Sequence, residues 1–178
     1  MKKYFMLLLA VVFLVASAAL AADGGLTKIY EGDDDFDLYL TLPENVLITG
    51  SETMDDYTFI DVVVEGNDHL SVSIIIAPDE LYADKSLADL TDEEVNELVG
   101  WYTEEMLQPD IQRLTSSNGF DYIILNESTE DNDSSETVSL VRGYDIMISV
   151  ILDDYSELDK GEETIGFALM DTLQAIDK

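Results

Sequence analysis

The sequence predicts an α+β fold, an antiparallel sheet flanked by helices. Three observations carry this. Apolar and polar residues alternate at a period of two in several segments, as in Phe36–Leu42 and Tyr57–Glu65. The segments are joined by short polar connections such as Gly66–Asn67–Asp68, which are too short for a parallel crossover and so impose antiparallel pairing. Two later segments carry apolar residues at helical spacing, and helices set among strands of an antiparallel sheet define the α+β class.

Taken in order, Thr27–Tyr30 reads as a short edge strand. Phe36, Leu38, Leu40 and Leu42 alternate with Asp37, Tyr39 and Thr41, a strand with one wet face that Pro43 ends. A short strand at Val46–Thr49 follows. Residues 57–65 and 70–76 alternate on either side of a Gly-Asn-Asp turn and predict a hairpin. Thr91 with Glu94 makes a capping box, and Asp92 and Glu93 suit the positive end of a helix dipole. Val95, Leu98, Val99, Tyr102 and Met106 form the buried stripe of that helix, which Pro109 ends, with a turn through Asp110–Leu114. Strands return at Phe120–Asn126, Thr137–Arg142 and Tyr144–Leu152, with Glu127–Glu136 as a solvated polar loop and Gly143 as a tight turn. A closing helix is predicted over 162–177, with Ile165, Ala168, Leu169, Thr172 and Ile176 on its stripe.

The N-terminus reports an address. Lys2 and Lys3 precede an apolar run from Phe5 to Ala16, then small residues and the triplet Ala19-Leu20-Ala21. This order predicts a secretory signal over residues 1–21, cleaved before Ala22. A spanning helix is the competing reading. The small residues of its second half, and the absence of a basic residue directly after it, weigh against that reading. Residues 22–35 then form an N-terminal leader and 36–178 a single globular domain. The expected localisation is extracytoplasmic, secreted or periplasmic.

The 178-residue chain contains 39 acidic and 8 basic residues, a net charge of −31. Such a surface repels nucleic acid and anionic lipid and attracts basic proteins and divalent cations. It also suits a salty or alkaline habitat with no ligand at all, and that reading is favoured. There is no Cys, which excludes disulfides, thiol catalysis and thiolate metal sites. The one His, His69, lies in a turn beside Asp68, where a solvated role outweighs a catalytic one. No phosphate loop, dinucleotide fingerprint or nucleophile elbow is present.

Calcium is the one cofactor the residues suggest. Asp33, Asp34, Asp35 and Asp37 lie in a Gly-flanked stretch, and Glu130, Asp131 and Asp133 lie in the long polar loop. Calcium takes several oxygen ligands in irregular geometry, but a cage needs them to converge in space, so a solvated acidic loop is favoured for each cluster. Trp101 on the first helix, and Phe167 and Met170 on the last, fall off the buried stripes. They are the candidate protein-binding residues, but burial beneath a second layer or a loop is the favoured reading.

The element order resembles that of the PsbP-like superfamily. The likeness runs over about residues 36–177: a strand ending in Leu42-Pro43-Glu44, a hairpin, Ser86-Leu87-Ala88-Asp89-Leu90 leading into a helix, three strands and a closing helix. The resemblance implies an α/β/α sandwich in which the last helix has two neighbours, and a non-enzymatic binding or assembly role. It transfers no functional residue, because no position matches a diagnostic motif. The expected function is therefore a non-catalytic binding or accessory protein with a protein or divalent cation as partner. The alternatives are a carboxylate-based extracytoplasmic hydrolase and a cation-binding structural domain. Two carboxylates in a deep cleft, one with a strongly shifted pKa, would favour the hydrolase.

Overall fold

The computed structural model describes residues 25–32, 36–83, 85–103, 110–128, 133–152 and 164–178. Its elements are β1 (Leu26–Glu31), β2 (Phe36–Thr41), β3 (Val46–Met54), β4 (Tyr57–Val64), β5 (Leu70–Pro78), a 3-10 turn (Leu87–Asp89), α1 (Asp92–Thr103), β6 (Asp110–Thr115), β7 (Asp121–Ser128), β8 (Asp133–Val141), β9 (Tyr144–Leu152), α2 (Thr164–Met170) and β10 (Gln174–Asp177). Seven strands form one antiparallel sheet in the order β3-β4-β5-β9-β8-β7-β6, and β1-β2-β10 form a small second sheet. The α+β class expected from the alternation is the one observed.

The alternation of each strand decides which layer covers which face. Ile60, Val62, Ile74, Ile76, Ile146, Ile148 and Val150 share one face of the large sheet. That face packs against Leu38, Leu40 and Leu42 of the small sheet and Leu169, Met170 and Leu173 at the chain's end. Each of these aliphatic side chains contributes roughly 1.5–3 kcal/mol on burial. The opposite face presents Ile123, Leu125, Val138 and Leu140, covered by Leu87, Leu90, Val95 and Leu98 of the 3-10 turn and α1. A helix therefore lies on each face of the antiparallel sheet, and the small sheet shares a layer with α2.

Several boundaries differ from the sequence pattern. The closing helix stops at Met170 and the chain re-extends as β10, pairing Ala175 with Leu38 and Ile176 with Asp37. The Thr172 hydroxyl accepts from the Thr41 amide at 2.9 Å and donates to the Leu169 carbonyl at 2.8 Å, tying the helix end to β2. An open edge on β2 and this clamp outweigh a helical stripe that reads unbroken to Ile176. Asp110–Thr115 is a strand, not a turn. It is an exposed edge strand, whose pattern carries no burial signal. β3 runs to Met54 rather than Thr49. The polar stretch after Asn126 is partly ladder: Asn126 pairs with Ser135 and Glu127 with Ser134, so cross-strand pairing continues where hydrophobicity ends. The signal segment 1–21 lies outside the described residues.

Candidate functional site

Beside α1, the second face of the large sheet forms the floor of a cleft of about 510 Å³. β4, β5 and β9 build that floor. Phe59 pairs with Ile75 and Ile75 with Met147, and these three line the cleft side by side. The neighbouring register places Ala77 beside Asp145. Leu98, Trp101 and Tyr102 of α1 form one wall, and the loop from Pro78 to Tyr82 forms the other. Trp101 is 70% exposed, and Tyr57 and Leu81 are also open to solvent, so the mouth is ringed by apolar and aromatic groups. Tyr57 and Phe59 stack, with ring centroids 6.1 Å apart.

Local structure fixes each wall. Thr91 and Glu94 close the expected capping box: the Glu94 amide donates to Thr91 Oγ1 at 3.3 Å and the Thr91 amide to Glu94 Oε2 at 2.8 Å. Lys85 Nζ lies 2.7 Å from Glu94 Oε1. That bond, with those from Thr91, holds the Glu94 carboxyl down to about 2. Asp79 accepts from the amides of Leu81 (2.7 Å) and Tyr82 (3.1 Å), which sets the turn of the loop. The Asp79 amide in turn donates to the Gly143 carbonyl at 2.8 Å. Arg142 and Gly143 both have positive φ, the conformation a two-residue hairpin needs, so the β8–β9 turn positions both Asp79 and Asp145.

The acids of the cleft are Asp79, Glu80 and Asp145, set among aromatic side chains. Burial pushes the Asp145 carboxyl up to about 6, and the neighbouring Asp79 adds to the rise; a hydrogen bond from Tyr102 opposes it. Asp145 Oδ1 is buried without a hydrogen-bond partner among the described residues. Burial, followed by the Asp145 charge, pushes the Tyr102 phenol far above its ordinary value. Tyr82 is also raised, by burial and then by Glu97 and Glu94. On the same sheet face, burial raises Glu136, with Glu127 adding to the effect. Such a site can hold a flat or apolar body against the sheet and a positive charge against the acids.

Of the residues singled out by sequence, the structure places Trp101 in this cleft. Phe167 is partly buried against the core on the opposite face of the sheet, and Met170 is 0% exposed within it. Met170 is therefore no surface residue. The layer formed by the small sheet covers it, so for Met170 burial, not protein binding, is the reading that holds. Asp37 is buried on β2 between Lys28 Nζ (3.6 Å) and Lys178 Nζ (3.4 Å), so two ammonium groups already occupy it. Asp133 opens β8, and Asp33, Asp34, Asp35, Glu130 and Asp131 lie outside the described residues. Among the described residues no group of three or more acidic or histidine side chains is disposed to hold a metal. No described helix is long and apolar enough to cross a membrane. His69 is exposed in its turn.

No family model matches the chain, and none of the curated proteins matches it in sequence. Among solved structures, the solution structure of cyanobacterial PsbP from Synechocystis matches with a TM-score of 0.50 at 13% identity, over 91% of this chain and 99% of that one. The chain has the PsbP-like fold. The architecture inferred from element order is thus the observed one. At this identity the likeness concerns fold alone, and no residue's role passes across it.

Sequence reasoning missed Asp79, Asp145, Tyr57 and Phe59, and placed Tyr102 only in a buried stripe. Two acids among 39 carry no signal by themselves. The available hint was that β4 and β5 are apolar on both faces. Phe59 and Val63 oppose Ile60 and Val62, and Ile75 opposes Ile74. A strand apolar on both sides needs a partner on both sides, and here the second side is only partly covered by described residues.

Proposed function

We propose that this protein is an extracytoplasmic, non-catalytic binding or accessory protein whose ligand enters the cleft between α1 and the sheet. The observation that carries the reading is the cleft itself: an apolar floor of Phe59, Ile75 and Met147 with an exposed Trp101 at its mouth. Soluble proteins leave a large aromatic at the rim of an apolar hollow chiefly where something binds. The signal-like order of residues 1–21 supports export. N-terminal sequencing of the product from the envelope fraction should begin at Ala22, and a cytosolic product retaining Met1 overturns the localisation.

Trp101 is the only tryptophan, so its emission reports on the cleft directly. A fragment screen read by Trp101 fluorescence and by methyl shifts of Met147 tests the reading. Hits that move both reporters, and lose binding on Phe59→Ala, support it. Hits that map elsewhere while both reporters stay silent reject it.

The Asp79–Asp145 pair favours a second reading, a carboxylate-based hydrolase, because one of two neighbouring carboxyls is held up to about 6. Both carboxyls line the same cleft, and Asp79 adds to the rise of Asp145. Two carboxyls whose charges raise one another can share a proton, as a catalytic dyad does. In such a dyad both members must be free to act, whereas one oxygen of Asp79 is committed to two backbone amides. Peptide hydrolysis abolished by Asp79→Asn and by Asp145→Asn alike would establish the hydrolase over the binding protein.

A further inference from the structure

Resting on the assignment of the cleft as a ligand site, we propose that it takes an organic ammonium ion carried on an apolar stem, seated among the aromatic rings with its charge against Asp145 and Asp79. Three independent observations converge on that chemistry. First, Tyr57, Phe59, Tyr82, Trp101 and Tyr102 all line the one hollow, so ring faces and edges surround it. A cation among aromatic faces is attracted by their quadrupoles, and more strongly where water is excluded.

Second, the charge of the hollow is one-sided. Asp79, Glu80 and Asp145 line it, and no described lining residue is Lys or Arg. Asp145 Oδ1 is buried with no hydrogen-bond donor among the described residues. Two neighbouring carboxylates in a partly buried site repel one another, and a cation seated against them offsets that repulsion. An inorganic cation would satisfy the acids but leave the apolar floor of Phe59, Ile75 and Met147 without a role. An uncharged ligand would fill the floor and leave the acids opposed.

Third, the chain itself sets an ammonium on one of these rings. Lys85 Nζ stands 5.8 Å from the centroid of Tyr82. Its charge is committed to Glu94, outside the lining, so it does not neutralise the Asp145 pair. The overall charge of −31 draws cations toward the surface on which the cleft opens.

The test is calorimetry on the mature chain at pH 8 with choline and with its uncharged isostere, in which carbon replaces nitrogen. Choline should bind about tenfold or more tightly than the isostere. Asp145→Asn should remove that preference while leaving the isostere's affinity unchanged. Trp101→Ala should weaken both, and Glu44→Gln, an exposed charge removed elsewhere, should change neither. Equal binding of choline and isostere overturns the ammonium assignment while leaving the cleft as a ligand site. Choline binding that survives Asp145→Asn also overturns it, because the charge is then read elsewhere. Binding of neither probe overturns the assignment as well, and the Trp101 and Met147 screen then decides separately whether the cleft binds anything.

Discussion

Asp145 falls on a strand face where alternation puts a polar residue, but the fold surrounds it with Tyr102, Met147 and Asp79. Its carboxyl is held up to about 6, so the folded chain keeps this proton more tightly than the unfolded chain does. The contribution to stability is whole below about pH 4, falls as pH rises to about 6, and stays lost above that. Asp145→Asn should therefore raise stability at pH 8 by about 1–2 kcal/mol and leave it unchanged at pH 4. Thermal melts of the two proteins across that range check this, and equal melting temperatures at pH 8 would contradict it. Gly166 makes a different kind of demand. A Cβ at this position would stand 2.8 Å from Thr137 Oγ1, so α2 approaches β8 as closely as a glycine allows. Alanine gains helix propensity but overpacks the contact, and the expected net loss is about 1 kcal/mol, or roughly 2–4 °C in melting temperature. A Gly166→Ala melt at or above wild type would show that Thr137 turns aside freely.

At the scale of elements, α1 is both cover and wall: Val95 and Leu98 close the second core while Trp101 and Tyr102 edge the cleft. Its start is fixed by Glu94, which joins the capping box to Lys85. The Glu94 carboxyl is held down to about 2, so its contribution is present above about pH 4.5 and is lost as pH falls toward 2. Glu94→Gln should lower the melting temperature at pH 7, with the gap closing through that acid window. A gap that stays constant down to pH 2 would assign the effect to packing rather than charge. The capping box was legible because its signal spans four consecutive residues. The end of α2 was not, because what stops the helix is β2, which lies some 130 residues earlier in sequence. β6 was equally hidden: an exposed edge strand buries nothing, so Ile111 and Leu114 leave no alternation to read.

For the molecule as a whole, the charge of −31 opposes compaction. Sodium chloride should raise the melting temperature by screening this repulsion, with most of the gain by a few tenths molar as the screening length drops below about 10 Å. Calcium at matched ionic strength separates screening from chelation. A further rise beyond sodium shows that calcium is chelated, and equal shifts leave screening alone. The described ion pairs account for few of the acids. Those at Lys28, Lys85, Arg113, Arg142 and Lys178 engage Glu31, Asp37, Glu94, Asp121 and Asp177.

The sequence by itself determined the class of fold. Alternation and short turns are local, and burial of one strand face follows from them without knowledge of the rest. It also determined the first helix, its cap, the β8–β9 turn and the acidity of the surface. Tertiary structure decided what lies on the second face of the sheet. It decided that Met170 is core while Trp101 is rim, that Asp37 belongs to two lysines, and that Asp79 and Asp145 meet. Each of these depends on which distant segments pack together, and a charge or a ring acquires its role from neighbours that a one-dimensional pattern does not name.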